Sequence, residues 1–110
     1  MRGGNLHAGL PLEAPPAEVV EVLTETGRSR VERIVSTGQV TPDGQWYDEA
    51  SEEWVLLVSG EARLRIETES EERQLRPGDW LFLPAHCRHR VTWTSTDPPA
   101  VWLAVHMLSE

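Results

Sequence analysis

The chain has 110 residues, one cysteine and a formal net charge of −8, with 18 acidic side chains against 10 basic ones, all arginine. That length suits one domain with one core, and the lone Cys87 excludes an internal disulfide. The acidic balance excludes a nucleic-acid partner, which needs a basic stripe, and no apolar run approaches the about eighteen residues of a membrane helix.

Residues 1–14 read as an irregular arm that ends before Ala14-Pro15-Pro16. No long apolar stretch follows Met1-Arg2-Gly3-Gly4-Asn5, so no secretory leader is read and a cytoplasmic location is expected. Ala17 to Thr26 is expected as a short helix. Val19, Val20 and Leu23 make one apolar stripe, Pro16 suits the first turn and Gly27 suits the stop. Residues 1–29 are thus expected as an arm and helix outside a barrel of residues 30–110.

From Arg30 the period changes. Val31 to Ser36 is β-branched and apolar enough for a strand. Ser36-Thr37-Gly38 and Thr41-Pro42-Asp43-Gly44 punctuate a long polar loop that runs toward Glu52. Trp54 to Val58 is continuously apolar, the pattern of a strand covered on both faces. Ala62, Leu64 and Ile66 alternate with Arg63, Arg65 and Glu67, which is a half-exposed strand. Thr68 to Glu72 is an acidic hairpin tip, and Arg73 starts the return strand.

Arg76-Pro77-Gly78-Asp79 has the residues of a type II turn, and Trp80 to Leu83 is a buried strand closed by Pro84. Val91 and Trp93 alternate with Arg90 and Thr92. After the loop Ser95-Thr96-Asp97-Pro98-Pro99, Val101 to Leu108 is a final strand, apolar on both faces except at His106. Several short strands with turn signals between them predict an all-β sandwich or closed barrel. The five tryptophans lie between positions 46 and 102 and suit core and interface packing. Two strands apolar on both faces need more cover than one small barrel supplies, so a two-fold homodimer is expected.

The stretch Gly78 to Trp93 resembles the second motif of the cupins: Gly, five residues, Pro, one residue, Gly, two residues, His, three residues, Asn. Gly78, Pro84 and His89 fall on this pattern; His86 stands where the second Gly is usual and Trp93 where the Asn is usual. The first cupin motif reads Gly, five residues, His-any-His, three or four residues, Glu, six residues, Gly. Glu53 and Gly60 match its second half, and Trp46-Tyr47-Asp48-Glu49 stands in place of the His pair. The resemblance implies a cupin-type jelly roll, or double-stranded β-helix. Cupins with metal sites often oxidise, isomerise or decarboxylate small polar molecules.

His89 shares a strand face with Val91 and Trp93, a face the resemblance places inside the barrel. There an imidazole is a metal ligand or a satisfied core histidine. Glu53 is on the face of Val55 and Leu57, where a carboxylate is costly unless paired or metal-bound; its alternative is a solvated place at a strand mouth. His106 groups with Trp102 and Ala104 and reaches the same centre if that face is interior. Asp48 and Glu49 replace the absent His pair. A site of His89, Glu53, His106 and Asp48 suits a divalent Fe, Mn, Zn or Ni, and an acidic loop is as often merely solvated.

Tyr47, Glu49, His86 and Trp93 are candidate pocket residues. Cys87 and His89 are spaced for one strand face and could hold zinc, but a lone Cys is more often a small buried hydrophobe. No Gly-rich phosphate loop, Gly-x-Ser-x-Gly elbow or spaced Cys pair is present. Two functions follow: a divalent-metal cupin acting on a small polar molecule, or a metal-free module that binds or senses a small ligand.

Overall fold

Period-two patterning builds eight strands, and no helix, among residues 1–108, which are those described in the computed structural model. The strands are β1 Val19–Glu25, β2 Ser29–Ser36, β3 Glu52–Ser59, β4 Ala62–Ile66, β5 Arg73–Leu75, β6 Trp80–Leu83, β7 His89–Thr94 and β8 Ala100–Met107. They form a five-stranded sheet in the order β1-β2-β8-β3-β6 and a three-stranded sheet in the order β5-β4-β7. Every pairing is antiparallel. The two inner faces close on Leu57, Ala62, Leu64, Leu75, Leu83 and Trp102, all buried. No helix of the described residues is long and apolar enough to cross a membrane.

The helix expected over Ala17–Thr26 is instead β1, the edge strand of the larger sheet. The stripe of Val19, Val20 and Leu23 is compatible with a helix. The same segment, however, holds Val19, Val20, Val22 and Thr24, whose β-branched side chains favour the pleated conformation. What decides is the free edge of β2, whose N–H and C=O groups pair with β1 from Arg30 to Val35. A bulge between Val22 and Thr24 shifts the register by one residue, and pairing continues to Glu25.

The long polar loop after β2 is pinned along the open edge of β7. Thr41 donates its N–H to the Val91 carbonyl (2.9 Å), and Tyr47 and His89 exchange backbone bonds of 2.7 and 3.1 Å. Thr94 Oγ1 donates to the Gln39 carbonyl at 2.8 Å. The loop thus serves as a pseudo-strand that covers an edge and delivers its side chains to the barrel mouth.

Turn chemistry fixes the remaining corners. Gly78 has φ +95°, and Asp79 N–H donates to the Arg76 carbonyl at 2.9 Å, as a type II turn requires. Gly60, at φ +76°, ends β3 against the backbone of Pro99 and Ala100. A Cβ there would sit 2.7 Å from the Ala100 Cα.

Candidate functional site

The inward parity of three neighbouring strands makes the site. On β8, His106 follows Trp102 and Ala104, all buried. It lies opposite Glu53 of β3 on one side and Arg30 of β2 on the other. Glu32 shares Arg30's face two residues along. From the second sheet His89 faces the same space, and the pinned loop adds Tyr47 and Glu49. Together they line a cavity of about 250 Å³ whose far wall is apolar: Ile34, Val55, Leu64, Leu83, Val91 and Trp102.

Three carboxylates surround one imidazole. His106 Nε2 lies 2.8 Å from Glu32 Oε1 and 3.3 Å from Glu53 Oε2, and Nδ1 lies 3.4 Å from Glu49 Oε2. Nδ1 has no hydrogen-bond partner although His106 is 3 % exposed. With Nε2–H donated to Glu32, the Nδ1 lone pair faces a carboxylate. A bound cation would relieve this arrangement.

His89 is oriented from behind. Its Nδ1–H donates to the Cys87 carbonyl at 2.8 Å, which leaves Nε2 as an acceptor 3.9 Å from Glu53 Oε1. The Tyr47 ring stacks on His89 with centroids 5.3 Å apart. Burial first, and then the charge of Glu18, push the Tyr47 phenol above its usual value. Glu53 is pushed up from 4.5 to about 7, mainly by burial; Glu49 and Glu32 add to the rise, and His106 and Arg30 oppose it.

These donors fit a divalent cation. Ligand atoms of Glu49, Glu53 and His106 lie within 4.8 Å of one another, and His89 Nε2 points at the same carboxylate. Mixed carboxylate and imidazole ligands suit Mn, Fe, Ni or Zn.

Other candidates go elsewhere. Asp48 alternates with Tyr47 and Glu49 along the extended loop, so it faces outward, and its Oδ1 lies 2.7 Å from His86 Nδ1 at the exposed rim. His86 has φ +61°, a left-handed backbone that explains why glycine is usual at this motif position. Cys87 packs against the core, where burial pushes its thiol up.

Trp93 does not share the His89 face. The β4–β7 register slips between Arg63 and Leu64, so Trp93 turns outward under Arg63 (5.3 Å to the ring) and Thr94 turns in. Sequence reasoning did not identify Glu32, Arg30 or Glu18 as site residues. A period-two reading of Arg30-Val31-Glu32-Arg33-Ile34 offers the signal for the first two. The motif spacing of three residues before Glu53 points to Tyr47 and Glu49 as the pair in the His positions.

A jelly-roll barrel with carboxylates and imidazoles converging inside one end is the architecture of small metal-site barrels. The Cupin domain family model matches residues 33–106, and the chain belongs to the cupin family. A crystal structure from Ralstonia eutropha JMP134, described as a candidate mannose-6-phosphate isomerase, is 49% identical over 99% of this chain and 100% of that one, with a TM-score of 0.94. The fold is shared with a protein of Thermus thermophilus, TT1209 (22% identity, 98% of both chains, TM-score 0.78). It is shared too with a cupin superfamily protein from Desulfitobacterium hafniense DCB-2 (20% identity, 99% of this chain and 100% of that one, TM-score 0.72). A comparison with curated proteins finds no match.

Proposed function

We propose that this cupin holds one divalent cation, of Fe, Mn, Zn or Ni, at Glu49, Glu53, His106 and His89, and acts on a small polar molecule. The observation that carries this reading is the buried, unpartnered Nδ1 of His106 facing Glu49, with Glu53 within ligand distance. Bound there, the cation would polarise a ligand oxygen as a Lewis acid. Glu32 would hold the His106 ring through Nε2, and the Cys87 carbonyl would hold that of His89. Tyr47, stacked on His89, would shield one side of the mouth. The single thiol and the absence of a membrane-crossing helix among the described residues support a cytoplasmic setting. The exposed Trp80 and Phe82 side chains on β6 support a homodimer.

A second reading is a metal-free module that binds a small ligand. It is favoured by the same three carboxylates, which could be balanced by a proton on His106 instead of a metal.

Metal analysis and thermal shift on tag-free protein separate the two. At about pH 7.5, Zn, Mn, Ni or Fe(II) at a hundredfold excess over its dissociation constant should stabilise wild type by about 2.7 kcal/mol. His106→Ala and Glu53→Gln should lose that shift, and His89→Ala should weaken it. No metal-dependent shift in wild type leaves the metal-free module as the function.

A further inference from the structure

The same pocket has a one-sided hydrogen-bonding character. Four carboxylates line it, from Glu18, Glu32, Glu49 and Glu53, against one arginine among the described residues. That arginine, Arg30, already gives Nε to Glu32 at 3.1 Å. Ser36 Oγ donates to Glu18 Oε2 at 3.2 Å, so its proton is committed too. Ionised carboxylates only accept hydrogen bonds. The buried Nδ1 of His106, without a partner and facing Glu49, adds an independent sign that the site awaits a donor or a cation.

We infer that the ligand is a polyhydroxy molecule, neutral or amine-bearing, that donates hydrogen bonds to these carboxylates and carries no phosphate. This rests on the pocket being the ligand site as proposed above, with or without a metal. Hydroxyl and ammonium groups match a wall of acceptors. A phosphate ester brings its own negative charge to a wall of four carboxylates balanced by one arginine, whose Nε is already given to Glu32. One bound divalent cation and Arg30 together offset three of the four negative charges, so the lining still opposes an added anion. The apolar wall of Ile34, Val91 and Trp102 suits the C–H face of a sugar-like ring. The pocket therefore departs from the phosphosugar chemistry in the description of the R. eutropha relative.

The test is a chemical-shift titration of the full-length chain, metal-free and Zn-loaded, with mannose, mannosamine and mannose 6-phosphate as probes. Mannose and mannosamine should perturb the Trp102 indole and the Val91 methyl resonances. Mannose 6-phosphate should bind about tenfold more weakly or worse, a decade of affinity. Equal or tighter binding of mannose 6-phosphate overturns the inference, and so does the absence of any pocket perturbation by both unphosphorylated sugars. Glu18→Arg, at the pocket rim, should shift the preference between the two sugars about tenfold toward mannose 6-phosphate, since it exchanges an acceptor for a fork of donors. A change of equal size for both sugars overturns the charge argument. Failure of the metal reading would appear separately, as sugar discrimination that persists with no metal-dependent thermal shift.

Discussion

Glu53 sits where burial and two neighbouring carboxylates oppose its ionisation, and this makes the metal-free protein sensitive to pH. Its folded value of about 7 lies above the ordinary 4.5. The native state therefore holds a proton that the unfolded chain has released between those values. The stability this contributes is full below about pH 4.5 and is lost as pH rises through about 7. A shift of that size corresponds to roughly 3 kcal/mol. Glu53→Gln keeps the shape without the charge. In metal-free protein it should unfold at higher denaturant than wild type at about pH 8 and nearly equally at about pH 5. Urea midpoints at the two pH values check this; a variant equally destabilised at both would show that the carboxylate is a stabilising partner instead. Cation binding reverses the preference because it needs the ionised form, so metal affinity should weaken as pH falls through about 7. At this scale the sequence was partly legible. The inward placement of His89, Glu53 and His106 was readable from motif and parity. Asp48 and Glu49 could not be separated until the loop was known to be extended, because period two then turns one outward and the other inward. Glu32 was missed because charged residues stand on both faces of β2: period two pairs it with Arg30 and Ile34 but does not say which face is inward.

The elements were legible wherever one face is wet, as in β4, and where turn residues are specific, as at Gly78. The edge strand β1 was misread because a seven-residue segment with three apolar side chains at helical spacing satisfies either period, and only the waiting edge of β2 decides. Trp93 was misassigned because a bulge is invisible to alternation: one extra residue flips every later side chain to the other face. The β3–β4 corner offers a sharper test of how elements are joined. Gly60 combines φ +76° with a backbone approach by Pro99 and Ala100 that leaves no room for a Cβ. Gly60→Ala should lose at least about 2 kcal/mol, adding left-handed backbone strain to a forced shift of the Pro99–Ala100 segment. Gly44 shares the left-handed φ, at +79°, but no atom lies within 4 Å of the position a Cβ would take. Gly44→Ala should therefore cost only the backbone part, about 1 kcal/mol. Equal losses at the two positions, read from chemical denaturation, would sink the close-packing account of Gly60.

The described residues leave an apolar face of the larger sheet exposed, and its layout follows from strand register. On the outer side of the larger sheet, Val105, Trp54 and Phe82 lie in one row across β8, β3 and β6, and Leu103, Leu56 and Trp80 lie in the next. Phe82 is 46 % exposed and Trp80 59 %, and the Trp54 and Trp80 rings lie 6.2 Å apart. Over β2 the same sheet is covered: Arg33 donates to the carbonyls of Leu6 and Ala8, which ties the N-terminal arm over that part. The contrast within one sheet argues that the bare rows are reserved for a partner, and a contiguous apolar patch of this kind commonly marks an interface. A second copy is the natural occupant, since a self-complementary apolar grid needs no opposite charge, and its burial has to outweigh the repulsion between two chains of net charge −8. The dimer proposed above has a direct check. Sedimentation equilibrium at micromolar concentration should give twice the 12.4 kDa chain mass. Trp80→Glu should return the monomer mass, because it sets like charges opposite one another in a two-fold contact. Near-ultraviolet circular dichroism of that variant should retain the signal of the buried Trp102, which separates lost association from lost folding. A wild-type mass of 12.4 kDa would mean that the outer rows face water or a different partner.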